Sequence, residues 1–176
     1  MVIMKIKVHK EAGYEEALMG LSFNKNQPLE NMHGVADKLV NKDGGHNKFL
    51  EAIIIWVEVE APRYMWSQMD TYRLSTKQSQ STMHTILKRP LTKDDFKDRH
   101  ISWWTLRRLN KLIRNQDFHK LKKELPEGFM QRRMWCMSYK TLRNIYKQRK
   151  NHRLREWHMF LNAVLDQIQH PDFIVR

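Results

Sequence analysis

Cysteine is almost missing from this sequence. The single Cys136 excludes an intrachain disulfide framework and any cysteine-rich zinc site. It makes a reducing, intracellular compartment, the cytoplasm, the default expectation. Long apolar runs are missing as well: none approaches the roughly 20 residues that a membrane span requires, so no membrane partner is expected. The opening MVIMKIKVHK is too short and too interrupted by lysine to predict a signal peptide. The chain has six glycines, and they do not build a glycine-rich phosphate loop. Internal repeats, low-complexity blocks and linkers are also lacking, which predicts one domain over residues 1–176. Negative charge is scarce too. Nineteen acidic residues face 32 lysines and arginines, a formal net charge of +13. That balance favours anionic partners such as nucleic acid, nucleotides, polyphosphate cofactors or an acidic membrane face. The plainer account is a basic, solvated surface.

What is present reads as alternating strands and helices. VIMKIKVH (2–9) is mostly β-branched and apolar and predicts a strand. GYEEALMGLSF (13–23) places Tyr14, Ala17, Leu18 and Leu21 on one helical face. NMHGVADKLVNKDGG (31–45) predicts a second helix ended by Asp43-Gly44-Gly45. LEAIIIWVEVEAP (50–62) is the strongest strand, expected to be central and partly buried on both faces. Pro62 stops it and suits the start of a short helix over 62–72. Residues 92–126 carry apolar residues at helical spacing, and Leu125-Pro126 closes them. A strand over 131–139 and helices over 139–149 and 152–169 complete a mixed α/β domain, a small sheet packed by helices. The Trp103-Trp104 pair is expected to pack on a neighbouring helix rather than stack on a base.

The densest polar chemistry lies in MDTYRLSTKQSQSTMHT (69–85), directly after the short helix. Ser75, Thr76, Gln78, Ser79, Gln80, Ser81 and Thr82 crowd around Arg73. Two readings stand side by side. One is a solvated loop with turn chemistry. The other is a phosphate or base pocket, with hydroxyls and amides donating hydrogen bonds and Arg73 making a charge-assisted contact.

The segment resembles the signature of the flavin-dependent thymidylate synthases. There the pattern is Arg-His-Arg, two residues, Ser, one residue, Asn, two residues, Ser, one residue, Arg. Here the frame reads Thr71-Tyr72-Arg73, then Thr76, Gln78, Ser81 and Met83. The Arg at the third position of the pattern, Arg73, and the last Ser are kept, Thr76 and Gln78 are chemically similar, and Thr71, Tyr72 and Met83 depart. The surroundings follow the same frame without a gap: His46 upstream, Gln68 before the signature, then Leu125-Pro126, Lys140, Asn144 and Arg149 downstream. ALMGLSFN, with Ser22, is similar to an early helix of the family, so the resemblance spans most of residues 13–173.

The resemblance implies an α/β homotetramer that binds FAD at subunit interfaces with dUMP beside the isoalloxazine. It implies methylation of dUMP to dTMP, with methylenetetrahydrofolate giving the methylene group and NADPH the reducing power. The flavin carries the chemistry, without a cysteine nucleophile. His46, Tyr72, Arg73, Lys140 and Asn144 would form the FAD side. Gln68, Ser81, Lys122 and Arg149 would form the nucleotide side, with Arg149 reading the pyrimidine carbonyl and stabilising charge there, and Ser81 orienting the nucleotide. Lys140 and Lys122 stand where the family has Arg, keeping charge without the bidentate fork. Met83 stands where a final Arg grips phosphate, and His84 beside it is cationic only when protonated. The residues also carry plainer readings: His46 capping the approach to the central strand, Tyr72 packed in the core, Lys122 on a solvated surface.

Two alternatives remain open at this point. One is flavin-dependent modification of another pyrimidine nucleotide. The other is a non-catalytic relative that holds nucleotides or nucleic acid on its basic helices, RRLNKLIRNQDFHKLKK and YKQRKNHRLR.

Overall fold

The computed structural model describes residues 4–42 and 44–176. Val2, Ile3 and Asp43, expected in the first strand and at the end of the second helix, lie outside the described residues. Four strands form one antiparallel sheet in the order β1-β2-β4-β3: β1 Lys5–Ala12, β2 Ile54–Pro62, β3 Ser75–Ser79 and β4 Met130–Ser138. The helices are α1 Tyr14–Lys25, α2 Met32–Leu39, α3 Arg63–Met69, α4 Thr82–Thr85, α5 Trp103–Arg114, α6 Phe118–Glu124, α7 Tyr139–Arg149, α8 Arg155–Leu165 and α9 Asp172–Val175. The fold is mixed α/β, a small sheet packed by helices, as expected. No helix among the described residues is long and apolar enough to cross a membrane.

The backbone resolves into two compact units. One holds Val59–Thr71 and Gln78–Arg133 with residues 4–5, and the other holds Ile6–Glu58, Tyr72–Lys77 and Met134–Arg176. In the first, α5 and α6 close over Ile86, Leu91, Phe96, Leu109, Ile113, Leu121 and Leu125. In the second, the largest buried side chains are Trp135, Trp157, Tyr139, Phe160 and Phe173. Trp135 stacks on Phe160 with centroids 5.3 Å apart.

β2 shows why the most apolar stretch becomes an interior strand. Ile55, Val57, Val59 and Ala61 are fully buried, and the residues between them are half-buried. In the second unit the other face is covered by amphipathic side chains: Lys10 lies 5.8 Å from the Trp56 ring centroid, and His9 Nε2 meets Glu58 Oε2 at 2.7 Å. Gly13 starts α1 at φ 92°, and a Cβ there would sit 2.1 Å from the carbonyl oxygen of Ala52. Only glycine satisfies both demands.

Three expectations are corrected. The polar run is neither a turn-rich loop nor free of regular structure: Ser75–Ser79 form β3, at one edge of the sheet. Lys77 is the inward residue there, with its ammonium 4.8 Å from the Trp135 centroid and donating to Tyr72 O at 2.9 Å. The helical reading of 92–126 is broken by two short 3-10 turns, Lys93–Asp95 and Lys97–Arg99, before α5 and α6. Asp98, Arg99 and Gln116 take positive φ of 53°, 58° and 55°, which no helix continues through. Finally, Trp103 and Trp104 do not pack on a neighbouring helix; they are 54% and 74% exposed and lie edge to face on each other.

Candidate active site

The second unit holds the residues expected on the FAD side, of which Lys140 and Asn144 lie on α7 and Tyr72 is hydrogen-bonded to it. Ser138 caps α7, its hydroxyl accepting from Thr141 N–H at 3.2 Å. Thr141 Oγ1 in turn donates to Leu74 O at 3.0 Å. This ties the segment carrying Tyr72 and Arg73 to the first turn of α7. A second tie lies two turns on. Tyr72, buried, donates its hydroxyl to Gln148 Oε1 at 3.0 Å and accepts from Arg149 Nε at 2.8 Å. Gln148 Nε2 donates to Asn144 Oδ1 at 3.1 Å. Three expected site residues, Tyr72, Asn144 and Arg149, thus belong to one hydrogen-bonded string, with Gln148 as the link the sequence reading missed.

Arg149 is held by more than that bond. Its guanidinium lies 5.1 Å from the Trp157 ring centroid and 5.8 Å from that of Tyr72. The two rings meet edge to face at 5.8 Å. The Nε bond and the ring faces fix the guanidinium plane, while both terminal nitrogens make no hydrogen bond to the described residues. A half-buried, oriented, two-pronged donor is the arrangement that recognises a carbonyl or carboxylate edge. Of the two readings weighed for it, Tyr72 meets the plainer one by packing in the core, and its hydroxyl also positions Arg149, a role the sequence reading did not assign.

Arg73 follows Tyr72 and turns outward. It is exposed, and its guanidinium has no partner among the described residues. Lys140 is half-buried, hydrogen-bonded to the buried Asn47 amide oxygen and 3.9 Å from Glu51. Asn47 Nδ2 donates to Val40 O at 3.2 Å, so it is a fixed anchor for the lysine. His46, next to it, is exposed and lines a pocket of about 300 Å³ with Leu21, Asn24, Leu39, Gly44, Gly45 and Lys48. The chemistry of this donor set fits a dinucleotide such as FAD: Arg73, His46 and Lys48 suit phosphates, and the exposed Asn144 suits a ring edge. Cys136 in β4 is half-buried, and burial raises its thiol above the usual range, away from a reactive thiolate.

The first unit carries the other expected residues. Gln68 is half-buried on α3, and its carbonyl accepts from both the N–H and the hydroxyl of Thr71 at 3.2 and 2.7 Å. Ser81 caps α4, its hydroxyl accepting from His84 N–H at 3.4 Å and its carbonyl from Thr85 Oγ1 at 2.7 Å. Lys122 is not a solvated lysine. It is half-buried on α6 and donates to the Oγ1 of buried Thr82 at 2.7 Å. Burial, and then the nearby Arg63, lower its pKa. Its hydrogen-bond partner is neutral, and among the described residues it has no carboxylate partner. Thr82 stands between Ser81 and Met83, so Lys122 brings a cation to the very end of the signature where Met83, 68% exposed, offers none. Thr82, which the sequence reading named only as one of the crowded hydroxyls, is the residue that holds Lys122 there. Among the described residues no group of three or more His, Cys, Asp or Glu is placed to hold a metal ion.

No family model matches the chain, and no curated protein matches it by sequence. Solved structures do match it. Flavin-dependent thymidylate synthase ThyX from Helicobacter pylori, complexed with FAD and dUMP, superposes with a TM-score of 0.84. The match covers 97% of this chain and 98% of that one at 14% identity. A second structure, thymidylate synthase X from Helicobacter pylori with FAD and dUMP, gives a TM-score of 0.83, 98% coverage of both chains and 14% identity. The likeness is one of fold over essentially the whole chain.

Proposed function

We propose that the chain is a flavin-dependent thymidylate synthase that methylates dUMP to dTMP, as a homotetramer that shares its sites between subunits and works in the cytoplasm. One observation carries this reading. On a fold like that of proteins solved with FAD and dUMP, Tyr72 of the signature segment and Arg149 of α7, 77 residues apart, are joined by a hydrogen bond that leaves the arginine fork open. FAD supplies the redox chemistry when bound, with NADPH as reductant and methylenetetrahydrofolate as carbon donor. His46, Arg73, Lys140 and Asn144 hold the cofactor, and Tyr72 acts by orienting Arg149. Arg149 donates to the pyrimidine carbonyl and stabilises the negative charge that grows there. Ser81 and Gln68 orient the nucleotide, and Lys122 meets its phosphate in place of the arginine that Met83 replaces.

The test is to titrate purified protein with FAD and dUMP. Flavin absorbance that co-purifies or is taken up, and that shifts when dUMP is added, supports the proposal. A protein that takes up neither compound removes it. A second reading, modification of a different pyrimidine nucleotide, is favoured by Met83 at the phosphate position. Flavin uptake with a spectral response to another pyrimidine nucleotide, but none to dUMP, would select it.

A further inference from the structure

The face of α5 turned to solvent is not used by any of this. At about 100° per residue, Trp103, Arg107, Lys111 and Arg114 fall on one line, and Trp104 lies beside it. All five are exposed. The Arg107 guanidinium lies 5.1 Å from the Trp103 ring centroid, and the two indoles meet edge to face with centroids 4.6 Å apart. α5 contains no acidic residue. Arg107, Lys111 and Arg114 have no carboxylate partner among the described residues, whereas Arg108, on the flank, is paired with Glu124.

We propose that this face of α5 binds single-stranded nucleic acid, bases stacking on Trp103 and Trp104 and phosphates running along Arg107, Lys111 and Arg114. Exposed indoles have flat π-faces that any unpaired base can cover, and interleaved cations track a backbone without reading sequence. Other occupants fit less well. An interfacial membrane helix buries a broad apolar face, but the apolar face of α5, with Leu106, Leu109, Leu112 and Ile113, is already packed in the first unit's core. A second copy docking the same face on itself would set three unpaired cations against three.

The experiment is fluorescence anisotropy of the full chain with fluorescein-labelled 15-nucleotide oligo(dT) and oligo(rU), at several salt concentrations, beside a duplex of the same length. Native protein is expected to bind the single strands more tightly than the duplex. Trp103→Ala/Trp104→Ala is expected to raise Kd about tenfold or more, and Trp103→Phe/Trp104→Phe to recover most of the loss. Lys111→Ala/Arg114→Ala is expected to lower the slope of log K against log salt by about 0.7 for each phosphate no longer neutralised. Circular dichroism melts check that the variants stay folded, which exposed positions favour. Absence of binding at low salt overturns the proposal, as does equal affinity for the duplex. So does binding that ignores the tryptophan variants, or tryptophan-dependent binding of phosphatidylserine vesicles or self-association by light scattering without oligonucleotide binding.

Discussion

Replacing Arg149 by lysine separates its charge from its geometry. The guanidinium donates from Nε to Tyr72 Oη at 2.8 Å and lies against the Trp157 and Tyr72 rings at 5.1 and 5.8 Å. Lysine keeps the charge but loses the Nε donor, the planar stack and the fork. The lost bond and stack, half-exposed, should cost about 1–2 kcal/mol of folding stability. The lost fork should cost about 2–4 kcal/mol of transition-state stabilisation, roughly a 30- to 1,000-fold fall in kcat/KM for dUMP. Urea unfolding reads the first quantity and steady-state turnover the second. Tyr72→Phe is the control, because it removes the hydroxyl that orients the arginine while leaving the fork itself intact. It should repeat most of the stability loss and only a part, about tenfold, of the turnover loss. Full turnover in Arg149→Lys would refute the assignment, and equal turnover losses in both variants would reduce Arg149 to a structural residue.

Further expectations concern other points of the structure. Met83→Arg should lower the dUMP Kd about three- to tenfold, and Lys122→Met should raise it about ten- to a hundredfold, both by calorimetry; opposite signs would move the phosphate elsewhere. Tyr139 is buried and donates to Glu11 Oε1 at 2.7 Å, and burial first, then that bond, raises its pKa above the ordinary 10.0. Its contribution to stability is therefore complete below pH 10 and is lost as pH rises beyond it, because only the unfolded chain releases the proton there. Denaturation between about pH 9 and about pH 11 should show that loss in the native protein and not in Tyr139→Phe. Gly13→Ala should destabilise by about 3 kcal/mol or more in urea, since its Cβ would overlap Ala52 O at a φ that alanine avoids. A change under about 1 kcal/mol would mean the α1 start relaxes freely.

Much of the fold was legible because its apolar pattern is plain. β2, α1, α3, β4 and α7 lie where alternation, continuous runs, Pro62 and helical spacing put them. β3 was hidden because its inward residue is Lys77, whose stem and ammonium cover Trp135 in place of an apolar side chain. The breaks at Asp98, Arg99 and Gln116 were hidden because positive φ there is carried by residues other than glycine. The exposure of Trp103 and Trp104 ran against the expectation that indoles pack, since the buried face of α5 is already filled by leucines and Ile113. Within the candidate site, the resemblance to the flavin-dependent thymidylate synthase signature pointed to Tyr72 and Arg149, but no local signal joined them. Their bond spans 77 residues, and the string it forms with Gln148 and the Trp157 ring exists only once the chain is folded.

The central claim is the chemistry at the pyrimidine, and product analysis tests it most directly. The protein is incubated with FAD, NADPH, dUMP and methylenetetrahydrofolate labelled in its methylene carbon, and the nucleotides are resolved by mass spectrometry. The account predicts dTMP carrying the label, formed only when flavin and dUMP are both present. Unchanged dUMP from a folded protein that has taken up flavin would contradict it.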